Sequence, residues 1–274
     1  MTKKAVNEMS FLDHLEELRW HLIKSVSAIM IAATGAFLAK SFIFDYLIFG
    51  PAKADFVTYQ FLCKISKHIG MEESFCFTEL PFEIQSRTMS GQFSAHIWTA
   101  ITAGFIIAFP YVLYQLWKFI SPGLHENERK HSRGFIIVSS LLFFIGVLFG
   151  YYIICPLSIN FLGSYQVSSL VHNDFDLDDY INLIRVSILA SGLVFELPII
   201  IYFLTKIGLV TPQFLKKYKK YALIIVLIVS AIITPPDITS QVIVAIPILI
   251  LYEVSIFISR IVIRNQKRTE KKHV

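Results

Sequence analysis

Phe11, Leu15, Leu18 and Leu22 recur at helical spacing, and Ser10 with Asp13 three residues on resembles a capping box, so residues 10–21 read as an amphipathic helix. At 100° per residue Asp13, Glu16 and Glu17 fall opposite its apolar stripe. Helices that merely adhere to anionic membranes are basic on that side, so an acidic face there asks for a cationic partner. The alternative is a solvated face with local pairs such as Glu17 with His21. A second stretch, from Ser121 to Arg133, sets Glu126 and Glu128 in an otherwise basic connection. Two separate carboxylates suit two guanidinium groups, because each Arg makes a planar, bidentate, charge-assisted pair that Lys cannot copy.

A third acid, Glu196, sits in Val194-Phe-Glu-Leu-Pro198, ten residues before Lys206. At 1.5 Å per residue it lies ~15 Å inside the membrane edge, where a carboxylate is costly and a functional role or a structural hydrogen bond must account for it. Pro198 loosens the helix beside it. Glu253, seven residues from Arg260, reads as structural. No phosphate-binding loop, H-E-x-x-H pair, G-x-S-x-G elbow or C-x-x-C is present, and the eight His are scattered. We therefore expect no catalytic residue, no metal and no cofactor: not an enzyme.

The elements that must hold these groups are membrane helices. Hydrophobic residues make up 55% of the 274 and charged ones only 16%, against roughly 25% charged in a soluble domain. Apolar blocks predict six spans: Leu22 to Phe44, Phe93 to Phe119, Phe135 to Leu157, Tyr180 to Leu204, Tyr221 to Thr234 and Ile238 to Ser259. With both termini cytoplasmic, 19 of the 25 Lys and Arg lie on the inner side and only Lys40, Lys53, Lys64, Lys67, Arg87 and Arg185 on the outer, which fixes the orientation. Basic residues between apolar blocks make no nucleic-acid face. Met1 to Arg19 lacks the apolar region of a cleavable leader, so the first span is expected to stay.

We thus expect an all-α, polytopic membrane protein forming one domain over 1–274, with a long outer loop at 45–92 and a basic cytoplasmic tail at 260–274. In the loop, Cys63 and Cys76 could close a disulfide worth ~3 kcal/mol in an oxidising compartment. Cys155 reads as a small apolar residue in its span. The fifth span, 14 residues from Tyr221 to Thr234, reaches only ~21 Å, and Pro235-Pro236-Asp237 leaves almost no loop before its partner, whose apolar part starts near Val242. This hairpin should stop short of the outer surface, thinning the bilayer or pairing with another helix. An echo at an offset of 88, Pro110, Tyr114, Leu116 and Lys118 against Pro198, Tyr202, Leu204 and Lys206, is ascribed to chance.

Six motifs in order carry a resemblance: His14-Leu15-Glu16-Glu17-Leu18-Arg19; Pro110 with Tyr114-Gln115, Trp117 and Phe119; Pro122; Glu128-Arg129; Phe195-Glu196-Leu197-Pro198; and Thr234-Pro235-Pro236-Asp237 with Ser240-Gln241. Over nearly its whole length the sequence resembles the TatC family, the polytopic core subunits of twin-arginine protein translocases. The resemblance implies a receptor in the cytoplasmic membrane for folded cargo whose signal peptides bear consecutive arginines. Transport would be driven by the protonmotive force, in an oligomeric complex with single-span TatA- and TatB-type subunits. It assigns Glu17 and Glu128 to the twin arginines, Glu196 to a buried polar position, and Thr234 with Gln241 to the docking of partner helices. Arg19, Phe119, Pro122, Pro198, Pro235, Pro236 and Asp237 match the motifs without an assigned contact. The outer loop with Cys63 and Cys76 departs from the family pattern. The competing reading is a proton-coupled small-solute transporter using Glu196; an intramembrane hydrolase lacks a nucleophile and base pair in the spans.

Overall fold

The computed structural model describes residues 11–69, 82–120, 132–168, 170, 173–235 and 237–270. In chain order the elements are α1 (Phe11–Leu38), a π-helical segment (Phe42–Ile48), α2 (Val57–Ile69), β1 (Glu83–Gln85), α3 (Gly91–Ile120), α4 (Ser132–Phe149), a second π-helical segment (Gly150–Ile154), α5 (Cys155–Ser164), β2 (Asp174–Asp176), α6 (Leu177–Phe195), α7 (Leu197–Lys206), α8 (Pro212–Lys217), α9 (Lys219–Ile233) and α10 (Ile238–Glu270). Among the described residues five helical runs are long and apolar enough to cross a membrane: His14–Leu38, Gly91–Ile120, Gly134–Ser164, Leu177–Lys206 and Ser240–Gln266. With the short α9 they make six transmembrane helices.

The acidic segment expected as a surface helix is continuous with the first span, because no Gly or Pro interrupts the chain between Ser10 and Gly35. The fourth span breaks where Pro198 predicts it. The pyrrolidine ring has no N–H to give and crowds the carbonyl four residues back, so α6 closes at Phe195 and α7 opens at Leu197. Glu196 sits at the joint with φ −73° and ψ −7°. Shortness in the hairpin is seen in α9, which has 15 residues. In α10 it applies to the apolar part alone, since that helix continues through Arg260 and Arg264 to Glu270.

Packing divides the chain into two compact units, Met1–Leu47 with Ser86–Leu141 and Ile48–Gln85 with Leu142–Val274. The first is built on α1 against α3. Small residues let the two backbones approach: a Cβ on Gly104 would fall 2.6 Å from the Ala33 nitrogen, and Ala36, Ala95, Ala100 and Ala108 are buried nearby in sequence. His96 stacks on Phe37 at 3.9 Å between ring centroids, with its Nε2 3.1 Å from the Phe37 carbonyl oxygen.

In the second unit, Gly146 and Gly150 form a small-xxx-small pair against α6. A Cβ there would lie 2.7 Å from the Ser191 carbonyl oxygen and 2.8 Å from that of Ser187, and the Ser191 hydroxyl donates to the Gly146 carbonyl at 2.7 Å. Ile154, Val226, Val244 and Ile248 form a buried core cluster. Between α7 and α10 the contact is polar as well: Thr205 Oγ1 donates to Ser259 Oγ at 2.9 Å and Gln266 Nε2 to the Lys206 carbonyl at 3.1 Å. The long connection contributes α2 and β1, and β1 pairs in parallel with β2, Glu83 opposite Asp174. These two three-residue strands are an addition to the all-α expectation.

Candidate functional site

Helical spacing brings Glu17 and His21 onto one face of α1, one turn apart, and that face meets the end of α3. His21, with the proton on Nδ1, donates to Gln115 Oε1 at 2.7 Å, and both side chains are buried. Phe119 stacks on His14 at 4.5 Å and meets His21 edge-on at 6.3 Å. This aromatic and amide clamp fixes the register of the two helices beside an open recess of about 390 Å³ lined by Glu16, Glu17, Trp20, His21, Lys24 and Lys118. Glu17 is half-buried, and its Oε2 is shielded from solvent with no hydrogen-bond partner among the described residues.

A carboxylate oxygen withdrawn from water and left without a donor is costly, which singles Glu17 out among the residues lining the recess. Lys24 and Lys118 share the recess with Glu16 and Glu17, so its carboxylates and ammonium groups balance. Arg19 is exposed and is not among the lining residues. Glu128 and Pro122 lie outside the described residues. Trp20, His21, Lys24, Gln115 and Lys118 were not expected in a site; only Gln115 carried a signal, through its place in the third-helix motif.

The other expected residues fall in the second unit. Glu196 is 7% exposed at the joint between α6 and α7. Thr234 caps α9, its hydroxyl donating to the Ser230 carbonyl at 2.8 Å, and it is buried. Pro235 is buried and Pro236 lies outside the described residues. Asp237 Oδ2 accepts from the Ser240 N–H at 2.7 Å, an N-cap for α10. Gln241 Nε2 donates to the Leu227 carbonyl at 3.0 Å, tying α10 to α9. Lys219 forms an exposed ion pair with Glu253 across the same hairpin. Cys63 is disulfide-bonded, Cys155 is a free buried thiol, and Cys76 lies outside the described residues.

Six membrane helices, with a recess lined by two acidic and two basic residues beside the N-terminal part of the first, define a polytopic α-helical membrane protein. Among the described residues no group of three His, Cys, Asp or Glu is placed to hold a metal ion. The model of the family described as Sec-independent protein translocase protein (TatC) matches residues 13–247. The chain belongs to the TatC family. It is similar to the Sec-independent protein translocase protein TatC of Blattabacterium sp. subsp. Periplaneta americana, 51% identical over 258 residues that cover 94% of this chain and 97% of the relative. It is similar also to TatCy of Bacillus subtilis, 33% identical over 270 residues, or 98% and 96% of the two chains. A crystal structure of the twin arginine translocase receptor TatC superposes with a TM-score of 0.64 at 33% identity, covering 91% of this chain and 99% of that one. A second, of the receptor in DDM, gives 0.70 at 34% identity, covering 90% and 99%.

Proposed function

We propose that this chain is the receptor subunit of a twin-arginine translocase, binding the paired arginines of cargo signal peptides in the recess beside α1. The observation that carries this reading is Glu17 Oε2, buried and lacking a donor among the described residues at the edge of a recess open to a visiting chain. A guanidinium supplies two parallel N–H donors to such a carboxylate, a contact worth about 1.5–3 kcal/mol. Ammonium is a more strongly hydrated point charge, and beside Lys24 and Lys118 it gains less from entering. Glu128 is the second carboxylate, for the adjacent arginine.

In this reading both termini face the cytoplasm and the protein lies in the cytoplasmic membrane, as a single membrane domain within an oligomeric complex. Single-span TatA- and TatB-type subunits dock at the α9–α10 hairpin around Thr234 and Gln241, where a polar group on a partner helix meets the Gln241 amide. Glu196 acts after binding, in the transport step driven by the protonmotive force. Cys63 pairs with Cys76 in the outer loop.

The test is photocrosslinking of a signal peptide to the full-length protein in membranes, with the peptide in Arg-Arg and Lys-Lys forms. The Arg-Arg form should crosslink about 10- to 100-fold more efficiently, as expected for the loss of one or two kcal/mol-scale contacts, and Glu17→Ala with Glu128→Ala should erase the difference. Equal crosslinking of the two peptides to the unaltered protein would end the proposal.

A further inference from the structure

Helix α2 has two faces that meet different surroundings. Tyr59 is 2% exposed, with its hydroxyl 3.1 and 3.0 Å from the carbonyl oxygens of Pro51 and Pro156, and Ser66 is also buried. Thr58 donates to the Tyr152 carbonyl, and Phe56 stacks on the Tyr152 ring at 5.7 Å. At 100° per residue Tyr59 and Ser66 fall ~20° apart, while Val57, Phe61, Lys64 and His68 share an arc of ~60° on the opposite side. All four of these are exposed, Val57 at 66% and Phe61 at 61%, and Lys67 is exposed on the flank of that arc. The outward face thus starts apolar and ends basic.

The depth of this face follows from what α2 is strapped to. Tyr152 and Pro156 belong to the helical run Gly134–Ser164, one of the membrane spans. Measured from Gly134 at 1.5 Å per residue, their positions are ~27 and ~33 Å along the run. The hydrocarbon core is ~30 Å thick, so α2 is held at the level where hydrocarbon gives way to headgroups. A face that is apolar at one end and basic at the other, at that level, matches an interfacial helix, with carbon chains below and phosphates beside it.

We propose that α2 is an interfacial helix whose outward stripe is seated in the bilayer surface, Val57 and Phe61 among the upper lipid carbons and Lys64, Lys67 and His68 against the phosphates of anionic phospholipids. The occupant is lipid rather than a protein surface because α2 is strapped to a membrane span at the level where hydrocarbon meets headgroups, where apolar and cationic side chains on one face both find partners. This inference stands independently of signal-peptide binding.

The test uses the full-length Val57→Cys protein carrying a nitroxide label, with the unlabelled-site background taken from the native protein, whose Cys63 is bonded and whose Cys155 is buried. In vesicles of phosphatidylcholine with one-third phosphatidylglycerol, the nitroxide should collide with dissolved oxygen more readily than with an aqueous nickel chelate. Retention of phosphatidylglycerol by the detergent-purified protein, counted by native mass spectrometry, should fall about fivefold in affinity for each of Lys64→Gln and Lys67→Gln, the equivalent of one surface charge contact. Free access of the nickel chelate would place the stripe in water and overturn the proposal. So would spin–spin broadening that disappears on dilution with unlabelled protein, which identifies a second copy as the occupant. Equal retention of phosphatidylglycerol by the charge variants would overturn the phosphate contacts.

Discussion

At the residue scale the recess depends on a buried pair that ties α1 to α3 at its wall. His21 and Gln115 are both buried and satisfy one another across α1 and α3. Removing one partner strands the other, so His21→Leu should cost about 1–3 kcal/mol, and Gln115→Leu a similar amount. The double variant His21→Leu with Gln115→Leu should cost less than the sum, because neither polar group is then left alone. Thermal unfolding of the four proteins in one detergent checks this; strict additivity would mean the bond contributes nothing. Glu17 was legible in the sequence because an acid on a membrane-proximal helix is out of place there. The His21–Gln115 pair was not, since its members are 94 residues apart and no local pattern links them. Tyr59 gives a second prediction at this scale. Burial, with a smaller contribution from nearby Cys155, pushes its phenol well above the ordinary value of 10. Its neutral form is thus favoured in the folded chain, so the stability it contributes is complete below pH ~10 and is lost as pH rises through the range between the ordinary and the raised value. Tyr59→Phe should lower the melting temperature at neutral pH by the loss of its hydrogen bonds, yet flatten the alkaline decline. An unchanged decline would assign it to other groups.

At the element scale, helix identity came from apolar blocks, and the one departure and the one expected break have plain causes. The acidic segment fused with the first span because nothing in it breaks a helix, whereas the fourth span broke at Glu196 because Pro198 forces it to. The pairing of β1 with β2 had no signal, since three residues are too few to show an alternating period and the partners are about 90 positions apart. The close approach of Gly146 and Gly150 to α6 was equally silent, as glycine in a span is common. It is nonetheless a sharp constraint. Gly150→Leu would press its side chain into the Ser187 carbonyl and should cost about 1–3 kcal/mol or more by overpacking. Gly35→Leu, whose added Cβ meets nothing within 4 Å, should be tolerated. Comparing the folded yields of the two in detergent distinguishes a packing role from a general dislike of bulk. Loss of the cap in Asp237→Ala should cost about 0.5–2 kcal/mol and loosen the start of α10, read as faster amide exchange there.

For the whole molecule the deciding quantity is the length of α9 against the thickness of the membrane. Its 15 residues rise ~22 Å, leaving ~8 Å of a 30 Å hydrocarbon core unmatched. The four spans outside the hairpin have 25 to 31 residues and carry no such deficit. The hairpin cannot lengthen by unwinding its turn, because Thr234 caps α9 and Asp237 starts α10 with only two prolines between them. Sliding past α10 would break the Gln241 bond to the Leu227 carbonyl, at about 1 kcal/mol, with the exposed Lys219–Glu253 pair adding little. The mismatch therefore falls on the lipid, at a fraction of a kcal/mol per Å, or a few kcal/mol in all. Full-length protein should accordingly melt at a higher temperature in vesicles of 14-carbon phosphatidylcholine than in those of 22-carbon chains. An insertion of one apolar turn into each arm of the hairpin should shrink that difference, because the added ~5.4 Å restores most of the missing length. If the native protein melted at the same temperature in both lipids, the end of the hairpin would have to be shielded from hydrocarbon by protein, and the deficit would then serve helix association rather than membrane thinning.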